Sequence, residues 1–136
     1  MPKPYGNILV NQILYNLKQC EFVTKKLYID LTTSEFFNLI NISLGFYSPL
    51  NRFCNFEDYQ NIINHNRLNK KIKWTVPILL SKKNNKFKLK QHKFYPLRYK
   101  KKIVGLIKAE TFFKIDKKEH NLKVFKTNSK YHPGVR

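Results

Sequence analysis

The sequence predicts an α+β domain in which N-terminal helices precede a small antiparallel β-barrel or sandwich. Apolar residues recur at helical spacing through the first half, and capping signals bracket two of those stretches. After Leu68 the period changes to short β-branched or aromatic runs separated by Lys/Asn-rich turns. Helices first and closely spaced strands after is the layout of segregated α and β layers around one core.

Along residues 7–17, Leu9, Val10, Ile13, Leu14 and Leu17 fall on one helical stripe, which predicts a short helix. Residues 27–31 fit a brief strand. Thr32 followed by Glu35 is a capping box, in which each side chain satisfies the other's backbone N–H, ahead of Phe36, Phe37, Leu39, Ile40 and Leu44. Gly45 then stands at the C′ position, where the chain turns left-handed. Ser48-Pro49-Leu50 predicts a turn. Asn55 with Asp58 starts a second amphipathic helix carrying Phe56, Tyr59, Ile62 and Ile63. Strands are predicted over residues 74–80, 86–89, 94–99, 103–107, 111–115 and 122–125. The Lys/Asn clusters at residues 82–85 and 100–102 read as solvated hairpin turns. No composition shift marks a linker, so residues 1–136 are expected to form a single domain.

The formal net charge of +19 invites a polyanionic partner. However, the basic residues are 23 Lys and only 4 Arg, beside 15 Asn, 12 Ile and a single Ala, Ala109. Lys, Asn and Ile codons are rich in A and T, so mutational bias accounts for much of the charge. Phosphate-gripping sites lean on the planar fork of Arg, which is scarce here. The expectation is therefore weak, non-specific, salt-sensitive polyanion binding. Cys20 and Cys54 lack CxxC spacing and are expected as thiols in a reducing compartment rather than as a disulfide. The short apolar run of residues 8–10 is neither a secretory signal nor a membrane span, so the expected address is cytoplasmic, without a membrane.

Catalytic, cofactor-binding and metal residues are all expected to be absent. His65, His92, His120 and His132 have no metal-pair spacing, and Glu57-Asp58 fits the start of a helix dipole better than acid/base work. Gly6, Gly45, Gly105 and Gly134 compose neither a dinucleotide fingerprint nor a P-loop.

Several strings in fixed order nevertheless resemble the amino-terminal region of ATP sulfurylases (sulfate adenylyltransferases). Pro4-Tyr5-Gly6-Asn7-Ile8-Leu9-Val10-Asn11 resembles P-H-G-G-x-L-V-N, with Tyr5 and Asn7 departing. Gly45-Phe46-Tyr47-Ser48-Pro49-Leu50-Asn51-Arg52-Phe53 resembles G-A-Y/F-S-P-L-x-G-F, with Arg52 in place of Gly. Asp58-Tyr59 and Arg67-Leu68 are similar to D-Y and R-L, and Trp74-Thr75-Val76-Pro77-Ile78-Leu79-Leu80 to W-P-I-P-I/V-T-L. Thr127 and His132-Pro133-Gly134-Val135 resemble T-T-D-P-x-H-P-G-V, with Ser129-Lys130 in place of D-P.

The resemblance covers nearly all of the sequence and implies a PUA-like fold without an active site. It implies that ATP and sulfate bind a following catalytic domain, whose Q-x-R-N-P, H-x-x-H and G-R-D-H-A-type segments do not occur here. The family residues Gly6, Leu9, Gly45, Ser48, Pro49, Leu50, Phe53, Arg67, Leu68, Trp74, Pro77, His132, Pro133, Gly134 and Val135 then have structural or docking roles. Trp74 is expected in the core and Pro133-Gly134 at a domain boundary. The implied function is that of a non-catalytic domain docking on a separately encoded or missing catalytic domain, in sulfate assimilation or sulfur oxidation. Docking is expected near residues 131–135 and the 48–53 turn. The alternative is a stand-alone basic RNA-binding PUA-like module.

Overall fold

A computed structural model describes residues 3–13, 27–69, 71–81 and 89–135, and assigns them to two units of interleaved sequence. The first unit takes Met1–Phe53 and Leu79–Thr111, the second Cys54–Ile78 and Phe112–Arg136.

In the first unit, strand β1 (Ile29–Asp30) leads into helix α1 (Thr33–Ser43) through the capping box read from the sequence. Glu35 Oε2 accepts from the Thr32 backbone N–H and from its hydroxyl, both at 2.8 Å, while the Glu35 N–H donates to Thr32 Oγ1 at 3.2 Å. The other carboxylate oxygen, Oε1, accepts from the Ser81 N–H at 2.7 Å. One buried carboxylate thus closes the helix and ties a distant segment to it.

Strands β4 (Phe94–Tyr99) and β5 (Lys102–Lys108) form an antiparallel hairpin, and β1 joins β4 in parallel, giving the order β1-β4-β5. Tyr99 pairs with Lys102 across a two-residue loop, Lys100-Lys101, with both residues at positive φ, 46° and 65°. That is the mirror-image turn whose twist suits a hairpin. Further along, Leu97 pairs with Gly105 but Arg98 with Ile103, so Val104 is an extra, bulged residue.

Leu97 and Tyr95, with Ile29, Leu31 and Ala109, form the buried core, and Phe36, Leu39, Leu80, Leu89, Tyr99 and Ile107 pack against it. Burying a side chain such as Leu97 contributes about 2 kcal/mol. Asp30 and Arg98 face each other across the parallel pair and join bidentately, Nε to Oδ1 at 2.6 Å and Nη2 to Oδ2 at 2.8 Å. The Tyr28 ring lies 3.4 Å from the same guanidinium carbon. The Arg98 hydrogen bond holds the Asp30 carboxyl below its ordinary range.

In the second unit, α2 (Phe56–His65) opens on the Asn55–Asp58 capping box and closes on Asn66 at φ 52°, a conformation Asn tolerates well. The ribbon β2 (Arg67–Leu68) and β3 (Ile72–Lys73) follows it. Helix α3 (Lys117–Phe125) is capped by Asp116, whose carboxylate accepts from the N–H groups of Lys118 and Glu119. Ile62, Leu68, Tyr59 and Ile63 are buried in this unit.

The α+β class therefore holds, while several elements differ from expectation. Among the described residues the strands make a three-stranded mixed sheet and a two-stranded ribbon, not a closed antiparallel barrel. Residues 7–13 are not helical beyond a 3-10 turn at Tyr5–Asn7, and Leu14 and Leu17 lie outside the described residues. Their backbone is drawn elsewhere: Val10 N–H donates to Ser48 Oγ and Gln12 N–H to the Ser43 carbonyl. Residues 74–80 and 111–115 lie outside every sheet ladder among the described residues. The predicted strand at 122–125 is the end of α3, because Asp116 and Glu119 start a helix that reaches it. Cys20, the 82–85 cluster and most of the 86–89 run lie outside the described residues.

Candidate functional site

The opening string and the Gly45–Phe53 string meet in the first unit as one tightly packed knot. α1 ends at Leu44, and Gly45 follows at φ 81°, in the left-handed region. A Cβ on Gly45 would stand 2.3 Å from the Val10 carbonyl oxygen and 3.1 Å from both Leu9 Cδ1 and Ser48 Oγ. Only a residue without a side chain fits beneath Val10.

Ser48 Oγ accepts from the Val10 N–H at 3.0 Å and donates to the Gly45 carbonyl at 2.6 Å, so a single buried hydroxyl locks both strings together. The Ser48–Pro49 peptide is cis, and Leu50 and Phe53 are buried behind it. Within the 48–53 turn Ser48, Leu50 and Phe53 are thus interior, Pro49 and Arg52 are partly buried, and Asn51 is exposed. Outward from the knot point Leu9, 70% exposed, and Phe46, 75% exposed, with Ile8 and Leu44 also exposed.

The two departures from family glycines are readable here. Asn7 sits at φ 60°, which Asn tolerates better than other side chains, and Gly6 beside it is at 73°. Arg52 is not among the positive-φ residues, so its position asks for no glycine. Its Nη1 donates to Asn51 Oδ1, and its Nε lies 3.7 Å from Glu110 Oε2.

The remaining family residues lie in the second unit. Arg67 Nη1 donates to the Lys71 carbonyl across the ribbon loop, Leu68 is fully buried and Pro77 is buried. Trp74 is half-buried rather than central to the core; its indole N–H donates to the Val76 carbonyl at 2.9 Å. His132-Pro133-Gly134-Val135 packs back against the end of α3. A Cβ on Gly134 would come within 2.5 Å of the Phe125 ring, and the His132 ring packs on Phe125 with centroids 5.1 Å apart. The Gly134 N–H donates to His132 Nδ1 at 3.2 Å.

This packing continues into a row of rings. Phe125 meets His120 edge-on, His120 stacks on Tyr59 with Nδ1 3.4 Å from the phenol oxygen, and Phe113 contacts both Tyr59 and Phe56. Burial pushes the His120 imidazole below its ordinary value and, with Glu119 and Asp116 nearby, pushes the Tyr59 phenol up. A histidine with a lowered folded-state pKa binds fewer protons folded than unfolded. Its contribution is thus fully present above about pH 6.5 and is lost as pH falls from there through the folded-state value. Thermal melts from pH 8 to pH 5 are expected to show falling stability below about pH 6.5, and His120→Phe is expected to flatten that slope. An unchanged slope in the variant would assign the acid sensitivity elsewhere.

Among the described residues, no three His, Cys, Asp or Glu side chains cluster in a way that could hold a metal ion. No helix of the described residues is long and apolar enough to cross a membrane.

What brings these strings under one name is their shared span. A family profile described as the PUA-like domain matches residues 2–136. The chain belongs to this PUA-like family. The domain is also similar to curated proteins named sulfate adenylyltransferase. That of Ignicoccus hospitalis is 33% identical over 138 residues, 98% of this chain and 36% of the relative. That of Staphylothermus marinus is 31% identical over 139 residues, 99% of this chain and again 36% of the relative. The protein from Entamoeba histolytica is 30% identical over 144 residues, 98% of this chain and 34% of its own length. This PUA-like domain therefore spans just over a third of the relatives it matches.

The sequence had named Gly45 and Ser48 as motif members without showing that they meet Val10. The contribution of Phe125, against which the His132–Val135 string is built, carried no motif signal at all.

Proposed function

We propose that this PUA-like domain is the non-catalytic docking module of a sulfate adenylyltransferase, the enzyme that joins sulfate to ATP to give adenylyl sulfate and pyrophosphate. The observation that carries this reading is coverage: nearly the whole chain matches about a third of each relative. The motif residues support it, because Gly45, Ser48, Leu50, Phe53, Leu68 and Gly134 spend their side chains or their lack of one on internal packing. ATP and sulfate then bind the other two thirds of such an enzyme, in the cytoplasm, and the exposed Leu9, Leu44 and Phe46 offer the domain an apolar docking patch.

The purified chain is expected to release no pyrophosphate from ATP and sulfate. Co-expressed with the remaining two thirds of a sulfate adenylyltransferase, it is expected to co-elute, and Leu9→Asp with Phe46→Asp is expected to abolish co-elution while the fold is retained. Pyrophosphate release by the chain alone would sink the non-catalytic reading. Separate elution of the two wild-type parts would sink the docking one, leaving the basic RNA-binding module as the reading to test.

A further inference from the structure

Seven described residues other than glycine have positive φ, and the choice of residue at each is informative. Four are Asn or His (Asn7, Asn66, Asn69 and His92), side chains enriched in the left-handed region. Lys126 ends α3, where a cation is favoured by the helix dipole. Lys100 and Lys101, at the tip of the β4–β5 hairpin, have no such reason: the favoured residues for that turn are Asn-Gly or Asp-Gly. Nor does nucleotide bias explain them. Lys and Asn codons are equally rich in A and T, and the chain uses 15 Asn, so the same bias offers Asn at the tip as freely as Lys. Residues held in unfavourable backbone conformations point to function rather than to folding.

The surroundings say what the charge faces. Lys100, Lys101 and Lys102 are all exposed, and among the described residues no carboxylate pairs with them. Asp30 is closed on Arg98, Glu35 on Thr32 and Ser81, and Glu110 lies against Arg52. Beside the tip, Ile103 and Val104 are exposed.

We propose that the hairpin tip Lys100–Lys102, with Ile103 and Val104 at its margin, is a docking surface for an acidic polypeptide. A second copy of this chain is disfavoured by its own charge of +19. Nucleic acid fits less well. Tyr99 is stacked on Phe36 at 4.2 Å and capped by Lys100, and Tyr28 is covered by Arg98, so neither ring is open to stack a base. The guanidinium that would grip a phosphate is already bidentate to Asp30. The exposed Ile103 and Val104 are matched by a polypeptide's apolar side chains, not by a phosphate backbone. This inference does not rest on the sulfate adenylyltransferase reading, since any acidic partner surface would satisfy it.

The test is fluorescence titration of labelled poly-L-glutamate and of polyuridylate against the full chain. Lys100→Asn/Lys101→Gly removes two charges while suiting the turn, and Lys114→Gln/Lys130→Gln removes two exposed charges elsewhere. The tip variant is expected to melt higher, by about 4 °C, yet to bind poly-L-glutamate about tenfold more weakly at low salt. The control pair is expected to bind within about twofold of the unaltered chain. Equal losses in both variants would show diffuse charge and overturn the proposal. So would a tip variant that melts no higher, or one whose only loss is toward polyuridylate, which would make a nucleic-acid backbone the occupant.

Discussion

Replacing Gly45 with alanine is expected to destabilise the chain by about 4 kcal/mol, a large share of the stability of an ordinary domain. Two effects add. The left-handed backbone at φ 81° penalises a side chain by about 1–3 kcal/mol. In addition, the new Cβ, built 2.3 Å from the Val10 carbonyl oxygen, must push that backbone away. The displacement breaks the Val10 to Ser48 hydrogen bond, leaving a buried N–H unsatisfied at roughly 1–3 kcal/mol. Ser48→Ala alone should lose only that second part, and the double variant should lose less than the sum, because both changes act through the same bond. Urea unfolding with an unchanged m-value measures it. A Gly45→Ala loss below about 1 kcal/mol would mean the knot is looser than its geometry states.

Removing the Glu35 carboxylate is the second large effect. Glu35→Ala is expected to cost about 3 kcal/mol, roughly 1 for the lost helix cap and the rest for the Ser81 N–H and Thr32 groups left without their charged acceptor. Glu35→Gln is the informative comparison. Both carboxylate oxygens accept, Oε2 from Thr32 and Oε1 from Ser81, whereas an amide offers one acceptor and one donor. The glutamine should therefore recover only part of the loss, falling near 1–2 kcal/mol. Full recovery in Gln would show that the tie to Ser81 contributes little.

These residues also show where the sequence was legible. Thr32–Glu35 and Asn55–Asp58 announce their helices because a capping box is local, needing only residues three apart. The β4–β5 hairpin is equally local, two apolar runs around a short polar turn. Residues 7–13 mislead because their apolar spacing is helical while their N–H groups bond to Ser43 and Ser48, partners more than thirty residues away. Helix α3 was hidden by a β-branched and aromatic run, Val124 and Phe125, that outweighed the Asp116 to Glu119 cap just upstream. Of the candidate site, the motif residues were named in advance, but not that Gly45 and Ser48 lock onto Val10 or that Gly134 leans on Phe125. Such contacts join distant segments, and no local pattern encodes them.

The interleaving of the two units bears on how the chain is made. Synthesis proceeds from the N-terminus, and neither unit is contiguous in that order. When Ile78 has been added, the ribosome has delivered the opening segment of each unit and closed neither. The first unit can finish its sheet only after β4 and β5 emerge, when Thr111 completes its sequence; α2 and the β2–β3 ribbon must meanwhile persist without α3. The first unit is thus complete before the second, although the second began before the first had received its β4–β5 hairpin. A nascent chain stalled between Ile78 and Thr111 exposes both unfinished cores at once, which makes that interval the one in which a chaperone has most to cover.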